Sequence, residues 1–306
     1  MSGSVAPEEL DADRWWARLA RVGRAERNGG PKTAFVLAGG GSRGAVQVGM
    51  LAELVDRGVR ADRVYGASVG AVNGAAYCAD PTPDGMLHIE AVWRSLSGQV
   101  VFPRGRAQGP WTFFQQRAAV HSSAGLRKLI EDGVDYRLLE QARVPFEVVA
   151  TSLNDGRECW LTRGSVAEAV LASAAVPALL PPVKIGDDLL IDGGVVNNVP
   201  IQRAIEAGAT RIYVLLCGPL RYRPRRPKRP VEAVISAFFV AVNARFAREL
   251  AALPPGVEVV VFSGGGEPGA DYRDFSNVAE LVAAGRHEVA AVLDRYKGTS
   301  HELRVP

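Results

Sequence analysis

Residues 33–57 read TAFVLAGGGSRGAVQVGMLAELVDR, and the change of pattern inside them decides the fold. Residues 33–38 (TAFVLA) form an apolar run of buried-strand type, and residues 39–44 (GGGSRG) break it. Residues 45–57 then place Val46, Met50, Leu54 and Val55 near helical spacing, and Gly58 stops the helix. The same strand–turn–helix order recurs at once: strand 63–67 (RVYGA), then a helix of small residues over 69–79, ended by residues 80–85 (DPTPDG). Residues 86–144 show no clear alternation and include the Gly/Pro-broken aromatic stretch VFPRGRAQGPWTFFQQR at 100–117. Beyond them the pattern predicts strands at 146–151, 158–161, 188–191, 211–216 and 257–262, with helices at 166–173, 200–207, 231–252 and 277–296. Strands alternating with helices imply a largely parallel sheet covered on both faces.

Gly39, Gly41 and Gly44 spell G-x-G-x-x-G between a strand and a helix, the setting of a dinucleotide fingerprint. That reading needs an acid at the end of the next strand. Here the strand ends in Gly66, Ala67 and Ser68, and Asp62 lies at its start. A Walker A loop is excluded, because Ala45 and not lysine follows Gly44. A tight turn without a ligand and an anion cradle stay open. In a cradle, backbone amides of Gly39, Gly40 and Gly41 converge on one point and the following helix adds positive potential, as an oxyanion hole requires. Arg43 either acts on substrate or locks the loop through carbonyls or a carboxylate.

Gly66 to Gly70 is G-x-S-x-G, the pattern of a strained strand-to-helix turn that presents a serine hydroxyl. A chain with 33 glycines yields that pattern cheaply; the strand before Ser68 and the helix after it sharpen the signal. A nucleophilic serine needs a base. None of the four histidines sits in a strand-end motif. Asp192, in LIDGG after an apolar strand, is expected on the same carboxyl rim of the sheet as Ser68, with Gly193 and Gly194 leaving room around it.

Four blocks together resemble the patatin-like acyl hydrolases, bacterial patatin-like phospholipases included. They are GGGSRGAVQVGML (39–51), GASVGA (66–71), ASAAVPALLPPV (172–183) and DGGVVNNVP (192–200), and the resemblance is clear over residues 32–216. It implies a three-layer α/β/α fold with a largely parallel central sheet. It also implies a dyad of Ser68 as nucleophile and Asp192 as base, and an oxyanion hole from Gly39, Gly40 and Gly41 with the Val69 amide. Arg43, Gly44, Gly66, Gly70, Gly193 and Gly194 would support those turns. Asn198 and Pro200 match the family's N-x-P and should start the next helix, and residues 150–161 match its central hairpin. Ser42 and Val69 stand where many members carry alanine, and the bulkier Val69 is expected to narrow the pocket beside the nucleophile. The implied activity is hydrolysis of fatty-acyl esters of phospholipid, lysophospholipid or neutral lipid through an acyl-serine, with no metal and no organic cofactor. Residues 172–183 would wall an acyl pocket, and Phe102, Trp111, Phe113 and Phe114 would form a lid or pack in the core.

Two other readings remain. One is an α/β-hydrolase esterase with Ser68, Asp192 and His287, which has the right chain order. However, only 27 positions separate Gly41 from Ser68, room for one helix and one strand where that fold inserts several strands. The other is a non-catalytic nucleotide-binding or scaffold protein built on residues 39–44.

Composition bounds the rest. The 306 residues are 47% hydrophobic and 23% charged, which excludes a disordered, collagenous or disulfide-built chain. The three cysteines, Cys78, Cys159 and Cys217, form no CxxC pair and fit reduced thiols in a cytoplasmic protein. Residues 1–31 read as a polar leader with a candidate helix at 13–26, and 32–306 as one hydrolase domain with a basic linker at 217–230. Residues 221–230 (RYRPRRPKRP) carry six cations; subtracting them from the net +3 leaves the rest at −3. That balance argues against nucleic-acid binding. It suits peripheral contact with an anionic membrane, where Val234, Phe238, Val242 and Phe246 follow at helical spacing. Arg14, Arg18, Arg21 and Arg24 beside Trp15, Trp16, Leu19 and Val22 repeat that form in the leader.

Overall fold

The computed structural model describes residues 32–101, 119, 121–220, 230–266 and 274–298. The leader, the aromatics Phe102, Trp111, Phe113 and Phe114, and residues 221–229 of the basic segment lie outside them. Eight strands form one sheet: β1 (Thr33–Leu37), β2 (Arg63–Ala67), β3 (Phe146–Ser152), β4 (Glu158–Leu161), β5 (Val183–Ile185), β6 (Asp188–Asp192), β7 (Arg211–Leu215) and β8 (Glu258–Phe262). Neighbours follow the path β5-β6-β3-β2-β1-β7-β8, and β4 also pairs with β3. The run β3-β2-β1-β7-β8 is parallel throughout.

Both faces of this parallel run are covered, which is why its strands lack polar alternation. Phe35 and Leu37 of β1, with Tyr213 and Leu215 of β7, enter one core. Ala34, Val36, Ile212 and Val214 enter the other. The first core receives α1 (Ala45–Asp56), α2 (Val69–Ala79), α3 (Pro83–Ser95), the short α4 (Gly98–Val101), α5 (Ala124–Gly133) and α6 (Val166–Ser173). After β6 come the short α7 (Gly194–Asn197), then α8 (Ile201–Glu206) and α9 (Pro230–Ala251), and α8 and α9 line the second core. The last helix, α10 (Val278–Gly298), lies on α1 in the first core. The architecture is the expected three-layer α/β/α.

Helix α1 is buried nearly all round because α10 closes its outer side. The crossing is held close by two glycines. A Cβ on Gly49 would lie 1.9 Å from the Val282 carbonyl oxygen, and one on Gly285 would lie 2.1 Å from that of Val46. On the sheet side, Phe35 meets Tyr77 and Tyr213 at ring-centroid distances of 5.6 and 5.8 Å.

Two departures from the sequence pattern bear on the site. The DPTPDG turn both ends α2 and starts α3: Thr82 is the N-cap, its hydroxyl accepts the Gly85 amide at 3.2 Å, and Pro83 opens the helix. The strand ending in Asp192 is not parallel. β6 runs antiparallel to β3, and β5 is antiparallel to β6, so this end of the sheet is a pair of hairpins grafted onto the parallel run. Residues 150–161 do form the expected hairpin, β3 with β4. No helix among the described residues is long and apolar enough to cross a membrane.

Candidate active site

Strand β3 brings the serine and the aspartate together. Val149 pairs with Ala67 on one edge and with Trp160 on the other. The next residue, Ala150, pairs with Asp192 on one edge and with Cys159 on the other. Because β4 occupies the same edge in both cases, β2 and β6 share the opposite edge and meet there end to end. Ser68 leaves β2 just where β6 arrives with Asp192. The rim placement therefore has a different cause from the expected one: β6 runs head-on into the end of β2 instead of beside it.

Ser68 sits in a sharp turn with φ 53 and ψ −125, a conformation that costs a non-glycine residue about 1–3 kcal/mol. The surroundings enforce it. Its amide donates to the buried Ser173 hydroxyl at 2.9 Å, and its carbonyl accepts the Ala71 amide at 2.9 Å. A Cβ on Gly70 would lie 2.1 Å from the Leu37 carbonyl oxygen, so only glycine lets α2 start this close to β1. Gly193 has the same constraint against the Val149 carbonyl oxygen, also at 2.1 Å.

Asp192 is buried, and its backbone is pinned on three sides. Its amide donates to Ala175 O at 3.0 Å, Gly193 N–H donates to Ser173 O at 3.1 Å, and the Thr151 hydroxyl donates to Asp192 O at 2.8 Å. Ser173 thus holds both turns, the serine's through its side chain and the aspartate's through its carbonyl. Of the carboxylate oxygens, Oδ1 accepts the Gly194 amide at 2.7 Å. Oδ2 is buried and has no hydrogen-bond partner among the described residues. Burial pushes the carboxyl up from 3.8 to about 6, and the nearby Ser68 hydroxyl and the Gly194 amide pull the other way. The hydroxyl is near enough to act on the carboxyl's titration without closing a well-aligned hydrogen bond to it.

The loop 39–44 turns beside this pair. Gly41 has φ 63, and Gly41–Gly44 is a 3-10 turn leading into α1. The amides of Gly40, Gly41 and Val69 donate no hydrogen bond to a described residue outside their own helices. The Gly39 amide is already engaged, donating to Asn198 O at 3.3 Å. Gly39 therefore anchors the loop, whereas the amides of Gly40, Gly41 and Val69 have no such partner among the described residues. Asn198 completes that anchor by donating its side-chain amide to Gly39 O at 3.4 Å, and Pro200 caps α8.

A family model described as patatin-like phospholipase matches residues 35–205. The chain belongs to the patatin-like phospholipase family. An uncharacterized NTE family protein of Mycobacterium tuberculosis is 32% identical over 197 residues, 61% of this chain and 32% of its own length. The neuropathy target esterase sws of Drosophila melanogaster is 28% identical over 191 residues, 62% of this chain and 13% of its own. The lysophospholipase NTE1 of Cryptococcus neoformans is 29% identical over 211 residues, 66% of this chain and 12% of its own. The chain therefore spans about a third or less of the length of these curated relatives. Among solved structures, VipD from Legionella pneumophila is 15% identical, with a TM-score of 0.48 over 90% of this chain and 70% of that one.

Within this family frame the remaining side chains find their places. Arg43 donates to the carbonyls of Gly265, at 2.5 Å, and Gly266. It ties the glycine loop to the loop after β8, the locking arrangement of the two considered. Val69 Cγ2 occupies the space beside Gly44, where a Cβ would lie 2.3 Å away. His287 is exposed on α10, whose buried positions Val282, Gly285 and Val289 face the other way, so the structure does not bring it to Ser68. Cys78, Cys159 and Cys217 are all free thiols. The sequence reading overlooked Ser173, whose only signal is a hydroxyl inside the apolar run AVLASAAV.

Gly40 is where the loop tolerates least. Its φ of 172 is extended, and the positive φ in the loop belongs to Gly41. The constraint at Gly40 is contact: a Cβ there would lie 2.1 Å from Cys217 Cβ. Gly40→Ala should lower turnover of a soluble ester by about 10²–10³-fold, the loss typical of one oxyanion donor. Adding Cys217→Gly should restore part of it by vacating the space. Unchanged turnover in the single variant would reduce the loop to a plain turn.

Proposed function

We propose that this chain is a serine acyl hydrolase of the phospholipase A or lysophospholipase type, cleaving lipid acyl esters with a Ser68–Asp192 dyad. The observation that carries the reading is the pairing of Ala67 and Asp192 with adjacent residues of β3. It puts a strained serine near a buried carboxylate oxygen that has no partner among the described residues. The names of two relatives, an esterase and a lysophospholipase, support the same chemistry.

In the proposed reaction Ser68 Oγ attacks the ester carbonyl carbon while its proton passes to Asp192 Oδ2. The Gly40, Gly41 and Val69 amides receive the oxyanion. Collapse breaks the bond to the alcohol, which leaves with the proton from Asp192, and the acyl group stays on Ser68. Water then attacks the acyl-serine, giving its proton to Asp192, and a second collapse frees the fatty acid and returns the proton to Ser68. A carboxylate is a weak base for a hydroxyl, so the preset geometry and the amides must supply most of the acceleration.

Substrate is met at a lipid surface in this reading. The basic residues 221–230 are proposed to contact anionic headgroups peripherally, each cation contributing roughly 1 kcal/mol that salt screens. Of the apolar residues that follow, Phe246 is buried in the second core and is not available for that contact.

The test is fatty-acid release from vesicles of phosphatidylcholine, lysophosphatidylcholine, phosphatidylglycerol and triacylglycerol emulsion, at low and high salt. Release from at least one phospholipid or lysophospholipid is expected, faster on the anionic surface at low salt. Changing Arg225, Arg226, Lys228 and Arg229 to Ser should remove that salt effect while sparing a short soluble ester. No release from any of the lipids would overturn the proposal.

A further inference from the structure

The catalytic reading leaves two fully buried side-chain amides unused. Gln47 on α1 and Asn73 on α2 are 0% and 1% exposed, and their sequence neighbours Val46, Val48, Val72 and Gly74 are apolar or small. Gln47 Nε2 donates to Ala38 O at 2.8 Å and to Leu215 O at 2.9 Å. Asn73 Nδ2 donates to Gly44 O at 2.9 Å and to Gln47 Oε1 at 2.9 Å. Trp93 Nε1 on α3 donates to Asn73 Oδ1 at 2.9 Å. Every donor of both amides is used, so the network fixes which way each amide faces.

Its contacts fall on the two ends of the glycine loop. Ala38 is the last residue before the loop and Gly44 is the last residue in it. Both carbonyls lie where the chain passes out of β1 and into α1, and both take a side-chain donor from the network. Asn73 stands on the helix that Ser68 begins. An apolar pair of similar size would fill this space without the cost of burying two amides, so filling space does not account for them.

We infer that Gln47 and Asn73 are positioning residues that fasten both ends of residues 38–44 to the nucleophile's helix. They thereby set the aim of the Gly40 and Gly41 amides relative to Ser68. The inference rests on the acyl-hydrolase reading of the same site. Neither side chain touches substrate, and both act through the backbone they hold. Loss of either should lower kcat, because the oxyanion is bound only in the transition state, and leave KM nearly unchanged.

The test uses the full chain with a short soluble ester, a serine-reactive phosphonate and thermal unfolding. Gln47→Met keeps the volume and removes the donors. It should lower kcat by about 10²-fold, as sub-ångström to ångström misplacement does, with KM within about threefold. Phosphonate should still label Ser68 to full stoichiometry, but more slowly. The acid limb of the pH profile, set by Asp192, should not move. Gln47→Glu gives a second and independent readout. Protonated, the introduced carboxyl still donates to one carbonyl; ionised, it faces two carbonyl oxygens with no donor. That variant should acquire a descending alkaline limb absent from wild type. Folded Gln47→Met with wild-type kcat, or with KM alone changed, overturns the inference. If Gln47→Met does not fold, a Gln47→Glu profile of wild-type shape overturns it. Wild type that neither hydrolyses nor labels sinks the hydrolase reading instead, whereas active wild type with unaffected variants sinks the positioning role alone.

Discussion

Ser68→Ala is expected to lower ester hydrolysis by at least about 10⁴-fold, the scale of losing a nucleophile that works as part of a unit. The fold should be kept, because the backbone bonds that shape the turn, Ser68 N–H to Ser173 and Ala71 N–H to Ser68 O, do not need the hydroxyl. A phosphonate should label wild type at Ser68 and nowhere else. Ser68→Gly separates chemistry from strain. At φ 53 a glycine meets no Cβ penalty, so this variant should be as inactive as Ser68→Ala and yet unfold at a higher temperature. The gain should approach the 1–3 kcal/mol that such backbone strain costs. Residual activity near wild type in either variant, or labelling at another residue, would remove Ser68 from the mechanism.

Asp192→Asn is expected to lower activity by at least about 10²-fold by removing the base at constant size. His287→Ala should keep nearly all of it. In wild type, kcat/KM should fall below pH about 6 as the buried carboxyl takes up its proton. The same shift predicts a stability effect of opposite sense. Folding raises this carboxyl from 3.8 to about 6, so the folded chain holds the proton more tightly than the unfolded one. Stability is highest below pH 4 for this group and is lost as pH rises from about 4 to about 6, by roughly 3 kcal/mol for a shift of about two units. Asp192→Asn has no proton to lose. Its unfolding midpoint should lack this pH dependence and exceed that of wild type at pH 8. A variant less stable than wild type at pH 8 would mean that the ionised carboxylate is well solvated or paired, and that it does not wait unpaired for a serine proton.

The two halves of the site and their shared rim were legible in the sequence, but the strand arrangement that makes them meet was not. The strand-to-helix turns at Gly39–Gly44 and Gly66–Gly70 are local events written in glycine spacing, and they lie where the pattern put them. Asp192 came from the residues as well, but the reason it reaches Ser68 is the edge of β3. Strand pairing is a contact between segments about 80 and 40 positions apart in the chain, which no local period encodes. The partner of the Gly39 amide is equally remote, a backbone carbonyl at Asn198. The missed helix α3 is different. Thr82 followed by Pro83 is an N-cap and N1 signature in plain view, but its prolines and glycine drew attention as a stop. Gln47, Asn73 and Ser173 carried a fainter sign: each is a polar side chain set between small or apolar sequence neighbours.

The family match ends at residue 205, but the sheet does not. β1, the strand that launches the glycine loop, is paired along all five residues with β7, at 211–215. Gln47 reaches Leu215, and α10 closes the outer side of α1 through the Gly49 and Gly285 crossing. A graft that moved only the matched stretch into another protein would carry both Ser68 and Asp192 and leave β1 as a bare apolar border, the kind of edge that recruits other chains. The recognisable segment is therefore smaller than the heritable one: recombination that respects this architecture must carry the tail along with the signature.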